Sequence, residues 1–182
     1  MTEANELQAS MLPAAVERFI LHWGDMGGQW GVNRSVAQIH ALLFLSAKPM
    51  TAEDIADQLG LARSNVSTSI KELGGWKLVR RMPVMGDRRD HFEAESDMFE
   101  MVRRIAAGRK EREIDPAMAA LERCVVEAEG DTKLDPVAAH RLNEMLVFLR
   151  TVDGWYAEIM TVPTSKLMRL IGLGARVAKF LG

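Results

Sequence analysis

The residues best placed for chemistry are hydroxyls, amides and cations gathered in one short run and one turn. Between Arg63 and Leu73, the side chains Ser64, Asn65, Ser67, Thr68 and Lys71 interrupt an apolar set of Val66, Ile70 and Leu73. That spacing of four and three predicts a helix with one buried stripe. The 100° step per residue then sends Ser64, Thr68 and Lys71 to the opposite face and leaves Asn65, Ser67 and Glu72 at the flanks. Serine and asparagine are poor helix formers because their side chains compete for backbone hydrogen bonds. Contact with base edges and phosphates explains why they are there; a solvated face with local capping is the plainer alternative.

Arg88 and Arg89 fall in the turn-rich run Gly86-Asp87-Arg88-Arg89-Asp90. Held by Asp87 or Asp90, the pair is suited to phosphates or a minor groove, against the alternative of a solvated, salt-bridged hairpin tip. From Leu61 to His91 there are seven basic and three acidic residues, a net +4, although the chain as a whole carries -2. Arg63 and Arg34, each at the start of a predicted helix, add candidate phosphate contacts.

The elements that must hold these residues follow from the same pattern. Leu12 to Trp30 places Val16, Phe19, Ile20, Trp23, Met26 and Trp30 on an amphipathic stripe, with Gly27, Gly28 and Gly31 weakening its end. Asn33 caps a second helix with Val36, Ile39, Leu42 and Leu43 inward, ending at Lys48-Pro49. Thr51-Ala52-Glu53-Asp54 has the form of a capping box, opening a short third helix that stops at Gly60. The fourth helix, about Arg63 to Leu73, is ended by Gly74-Gly75. Two short helices around a Gly-containing turn make a helix-turn-helix. Leu78 to Val84 and His91 to Ala94, around the arginine-bearing turn, read as a two-stranded wing.

From about Ser96 the pattern is helical again, in two long pieces interrupted by Pro116 and by the Gly130-to-Pro136 turn. Met98, Met101, Val102 and Ile105 mark the first face, Met118, Leu121, Val125 and Ala128 continue it, and Val137, Leu142, Met145, Leu146, Leu149 and Val152 form another stripe. Such helices exceed what a small winged-helix core can cover, so they are expected to pack on each other and on a second subunit. The fold class is therefore mainly α with a small β-wing: residues 1–31 as an N-terminal packing and dimerisation helix, 32–95 as the winged helix-turn-helix, and 96–182 as a C-terminal dimerisation region.

Other candidates are weaker. Trp23 and Trp30, with Trp155 and Tyr156 further on, suit an aromatic cage for a quaternary ammonium effector, although aromatics at helical spacing more often fill a core. Trp76 is expected in the winged-helix core. Cys124, among Met118, Leu121 and Val125, reads as a packed thiol and not as a redox sensor. The four histidines are scattered, and no Cys/His spacing suggests a metal. No nucleophile-base pair or phosphate-cradling glycine loop is recognisable, so an enzyme is not expected and no cofactor is implied.

The 182 residues, 48% hydrophobic and 26% charged, suit one compact domain or a small domain with extensions and exclude a large multidomain enzyme. A single cysteine forms no internal disulfide. The acidic N-terminus does not read as a signal peptide, and the charge-free stretch Ser35 to Ala47 is short of the roughly 20 residues that span a bilayer, so a cytoplasmic location is expected. The segment Thr164 to Gly182 carries Lys166, Arg169, Arg176 and Lys179 without an acid; dimer packing or an added phosphate contact suits it better than a membrane surface.

Trp23 to Phe92 resembles the GbsR-like subgroup of the MarR-type transcriptional regulators. The resemblance rests on HWGDMGGQWGVNRSVAQIHALLFLS at 22–46, TAEDIADQLGLARSNVSTSIKELGGWKLV at 51–79 and GDRRDHFEAE at 86–95. It implies a dimeric winged-helix protein on pseudo-palindromic double-stranded DNA operators, with dimer contacts from terminal helices and, in some members, a small effector such as choline. The reading is thus a homodimeric DNA-binding regulator, a repressor in this expectation, with a winged-helix protein-interaction module as the alternative.

Overall fold

The structure, a computed structural model, describes residues 12–169 and Leu173. The chain divides into two compact units between Arg104 and Ile105.

The first unit is built around one buried helix. Helix α1 (Ala14–Gln29) follows Pro13, and helix α2 (Arg34–Leu45) is capped by Asn33, whose side chain accepts from Ser35 N at 2.9 Å. Ile39, Ala41, Leu42 and Leu43 of α2 are all buried, with Val36, Ala37 and His40 beside them. Gly27 does more than weaken the end of α1. It is buried against α2, where a Cβ would stand 2.6 Å from that of Ala37, so the glycine permits the close approach.

Strand β1 (Met50–Thr51) leads directly into α3 (Ala52–Leu59). The capping box forms as the sequence predicts: Asp54 N donates to Thr51 Oγ1 at 3.1 Å and Thr51 N to Asp54 Oδ2 at 3.0 Å. Gly60 ends α3 in the left-handed region. Helix α4 (Arg63–Gly75) buries Val66, Ile70 and Leu73, together with Ser69, and packs on α2. It runs through Gly74 and Gly75 and ends at Trp76 and Lys77, the latter at φ 56°; Trp76 is half-buried and not sealed in the core.

Strands β2 (Val79–Val84) and β3 (Asp87–Ala94) form the wing, and β1 adds a third strand in the order β1-β3-β2 through the pairs Met50↔Phe92 and Thr51↔His91. This third strand is two residues long, too short to show as an alternation in sequence. The turn also differs from expectation. Val84 pairs with Asp87, so the tip is Met85-Gly86, with Gly86 at φ 85°, and Arg88 and Arg89 lie within β3. A two-residue hairpin needs a positive φ that glycine supplies without strain, and Gly86 alone meets that need.

Helix α5 (Met98–Arg109) starts in the first unit, where Met101 is buried. In the second unit a π-helical turn (Lys110–Ile114) precedes α6 (Asp115–Gly130), and α7 (Pro136–Thr161) pairs with α6. Pro116 does not interrupt the helix as expected. It falls in the first turn of α6, directly after the widened turn, where a missing N–H and the ring of proline are accommodated. Lys110 Nζ, 2.8 Å from Asp153 and also bonded to Asp115, ties the π turn to α7, and Arg150 reaches Glu122 at 2.8 Å. Leu142, Leu146 and Leu149 face inward, but Val137, Met145 and Val152 of the predicted stripe are exposed. Cys124 is exposed as well, which corrects its reading as a packed thiol. The basic segment is helical over 164–169; Arg176 and Lys179 lie outside the described residues.

Candidate nucleic-acid interface

Burying Val66, Ile70 and Leu73 fixes the roll of α4 and therefore what it shows outward. Ser64, Ser67, Thr68 and Lys71 are exposed, and Arg63 stands at its first turn. Thr68 Oγ1 donates to Ser64 O at 3.0 Å, so its proton is engaged and the exposed hydroxyl keeps a lone pair suited to the exocyclic amines of a major groove. Asn65 is half-buried: its amide donates to Ser35 Oγ at 2.9 Å and accepts from Ser69 Oγ at 3.3 Å. Asn65 thus locks α4 to α2 and offers less outward than its neighbours. Ser69, not singled out from sequence, completes this buried polar bridge; its place one residue from Ile70 on the inner face was the available signal.

Strand β3 contributes Arg88 and Arg89, both exposed. Arg89 grips Asp87 with Nε at 3.0 and 3.1 Å and Nη2 at 2.6 Å, while its backbone N–H also donates to Asp87 at 2.9 Å. This guanidinium holds the Asp87 carboxyl down at about 2, so the clamp is charged at any ordinary pH. His91, buried beneath, lies 3.5 Å from Asp87 and meets Arg89 O at 3.0 Å. Asp90 does not serve the wing arginines, because it pairs with Arg81. Arg88 and Lys71 have no ion-pair partner among the described residues. Arg34 is 3.1 Å from Asp25, and Arg63 is paired with Glu53.

Trp23 and Trp30 do not share a pocket. Trp23 stacks on Phe19 with ring centroids 5.4 Å apart and stands 6.3 Å from His40; with Ala41, Phe44, Met98 and Met101 they line a cavity of about 120 Å³ within the first unit. Trp30, 59% exposed at the end of α1, is not among its walls. Burial drives the His40 pKa down to about 4, so the ring is neutral, and its Nε2 has no hydrogen-bond partner. Sequence gave His40 no role, since a lone histidine on an apolar helix face is normally a core residue. Among the described residues, no three His, Cys, Asp or Glu side chains gather as a metal site, and no helix is long and apolar enough to cross a membrane.

Two helices joined at a left-handed glycine, with a three-stranded wing beside the second, define a winged-helix protein. Residues 30–90 match the MarR family model. Over 102 residues the chain is 26% identical to the HTH-type transcriptional repressor GbsR of Bacillus subtilis (strain 168), covering 56% of this chain and 54% of that protein. The chain thus spans about half the length of GbsR. It is 19% identical to the putative HTH-type transcriptional regulator YvaV of the same organism over 81% of this chain and 84% of the relative. A solved structure of a transcriptional regulator shares the fold with a TM-score of 0.58 at 21% identity, covering 80% of this chain and 95% of that one.

Proposed function

We propose that this protein is a sequence-specific DNA-binding transcriptional regulator of the GbsR-like subgroup, acting in the cytoplasm as a homodimeric repressor on a pseudo-palindromic operator. The observation that carries the reading is one exposed face on which Ser64, Ser67, Thr68 and Lys71 of α4 stand beside a wing bearing Arg88 and Arg89. Hydroxyls on a groove-sized helix suit base edges, a lysine at its rim suits phosphates, and guanidiniums on a ribbon suit phosphates and the minor groove. Asn65 contributes by fixing the helix, Arg63 and Arg34 by contacting phosphates.

Dimerisation is supported by α7, where Met145, Phe148, Val152 and Trp155 are exposed at spacings of three, four and three. That is the seam of a paired helix, and a two-fold dimer sets two α4 helices roughly 34 Å apart, one turn of DNA. Control by a small apolar or aromatic effector is supported by the cavity beside Trp23, whose accessible walls are apolar. Trp30 serves such a site only through a change in α1. The repressor assignment draws on the name of the relative GbsR.

Selection of bound duplexes from a randomised library tests the reading. The expected product is an inverted repeat with half-sites about one helical turn apart. Recovery of no enriched sequence at low salt contradicts it.

A further inference from the structure

Glu53, the second residue of α3, stands between the two elements of this face. Its Oε1 is bonded to Arg63 at the start of α4, and its Oε2 lies 3.8 Å from Arg89 Nη1 on β3. One carboxylate therefore touches a cation from the helix and a cation from the wing. Its neighbour Asp54 has a different task, closing the capping box with Thr51. An acid in the first turn of a helix is favourable by itself, but that needs no arginine partner. Nor do the bridges add much to the fold, since both arginines and Glu53 are substantially exposed and such pairs are weak.

We propose that Glu53 is a specificity-determining residue that holds Arg63 and Arg89 back from the phosphates every DNA sequence presents. The inference rests on the DNA-binding reading given above. A complex with arbitrary DNA is held almost wholly by phosphate neutralisation and counterion release. An arginine already paired with a carboxylate gives less to that gain, and the carboxylate itself is repelled by nearby phosphates. In the operator complex, contacts from α4 fix the register, so an Arg63 freed from Glu53 cannot shift to the best phosphate as it can on arbitrary DNA. Fixing both guanidiniums in place also lowers the ordering cost of the aligned complex. Glu53 consequently weakens binding to arbitrary sequences more than binding to the operator.

The test is a titration of the full-length wild type, Glu53→Gln and Glu53→Asp against a random-sequence 30-base-pair duplex and against the selected operator, at several salt concentrations. Glu53→Gln is expected to bind the random duplex about 10-fold more tightly at low salt, with a salt slope steeper by about 1, because Arg63 is freed and the carboxylate's repulsion is lost while Arg89 keeps its clamp on Asp87. Operator affinity is expected to change by less than about 3-fold, so the ratio of the two falls. Glu53→Asp keeps the charge at the helix start but shortens its reach, and it is expected to move the random-duplex affinity in the same direction. Thermal melts of all three proteins are expected to coincide. An unchanged random-duplex affinity and slope, or operator and random affinities moving together, overturns the role of Glu53. Failure of the wild type to bind either duplex instead overturns the DNA-binding reading itself.

Discussion

The two units differ in how much of their apolar surface they cover. In the first, α2 is wrapped by α1, α4 and the sheet, and Ile39, Ile55 and Val66 are completely buried. In the second, Leu146 is the one buried side chain among the described residues, while Phe148 is 65% and Trp155 62% exposed. Fully burying such a side chain contributes about 1.5–3 kcal/mol, so the second unit leaves a large contribution unused as a single chain. The first unit finishes one core on α2, although Leu21, Trp30 and Leu45 stay exposed, and it presents polar chemistry on its α4 and β3 face. The second presents apolar area, and the proposed dimer gives that area its partner.

Breaking the seam is expected to have the largest effect. Phe148→Glu with Trp155→Glu should yield a monomer by sedimentation at micromolar concentration. Operator affinity should fall roughly 10³-fold, because two linked half-sites bind with a high effective concentration. A variant that remains dimeric moves the interface elsewhere.

The wing comes next. Arg88→Ala with Arg89→Ala removes two cations and leaves Asp87 without its clamp, near the phosphates. Operator binding should weaken roughly 10²-fold, while the melt changes by less than about 0.5 kcal/mol, as for exposed positions generally. Unchanged affinity with an intact melt removes the wing from the interface and favours a protein-binding module.

His40 separates the finished unit from the unfinished one by pH. Its folded pKa, about 4, lies below the ordinary 6.5, so the unfolded chain binds the extra proton. The contribution of neutral His40 is therefore complete above pH 6.5 and is lost as pH falls toward 4. Stability should drop by about 2 kcal/mol between pH 7.5 and 4.5, and His40→Phe should flatten that part of the profile. Denaturant melts across this range measure it.

The smallest effect concerns helix contact. Gly27→Ala gains helix propensity but puts a Cβ 2.6 Å from Ala37, so it should lose about 1–2 kcal/mol. Gly28→Ala, with open space at its Cβ, should gain about 0.5–1 kcal/mol. Opposite signs in chemical denaturation confirm that α1 is packed tightly at Gly27 and not at Gly28.

The helix-turn-helix was legible because each element carries a local signal: the Thr51–Asp54 capping box, Gly60, and the stripe Val66, Ile70, Leu73. The outward set on α4 followed from that stripe without further assumption. What escaped is decided by partners distant in sequence. Strand β1 exists because Met50 and Thr51 pair with Phe92 and His91. Arg88 and Arg89 join β3 because Val84 pairs with Asp87, whereas locally Gly-Asp-Arg-Arg-Asp looks like a turn. Asn65 turns inward toward Ser35, thirty residues earlier. On α7, periodicity identified apolar positions but not which face meets α6 and which stays open.

Lys71 offers the most direct test that the α4 and β3 face meets DNA. It is exposed and has no ion-pair partner among the described residues, so Lys71→Ala removes one cation and leaves the fold unchanged. The measurement is the slope of log affinity against log salt for wild type and variant on the selected operator. A shallower slope by about 0.9, the value for one lost phosphate contact, is the predicted result. Identical slopes and affinities would contradict the assignment of this face to DNA.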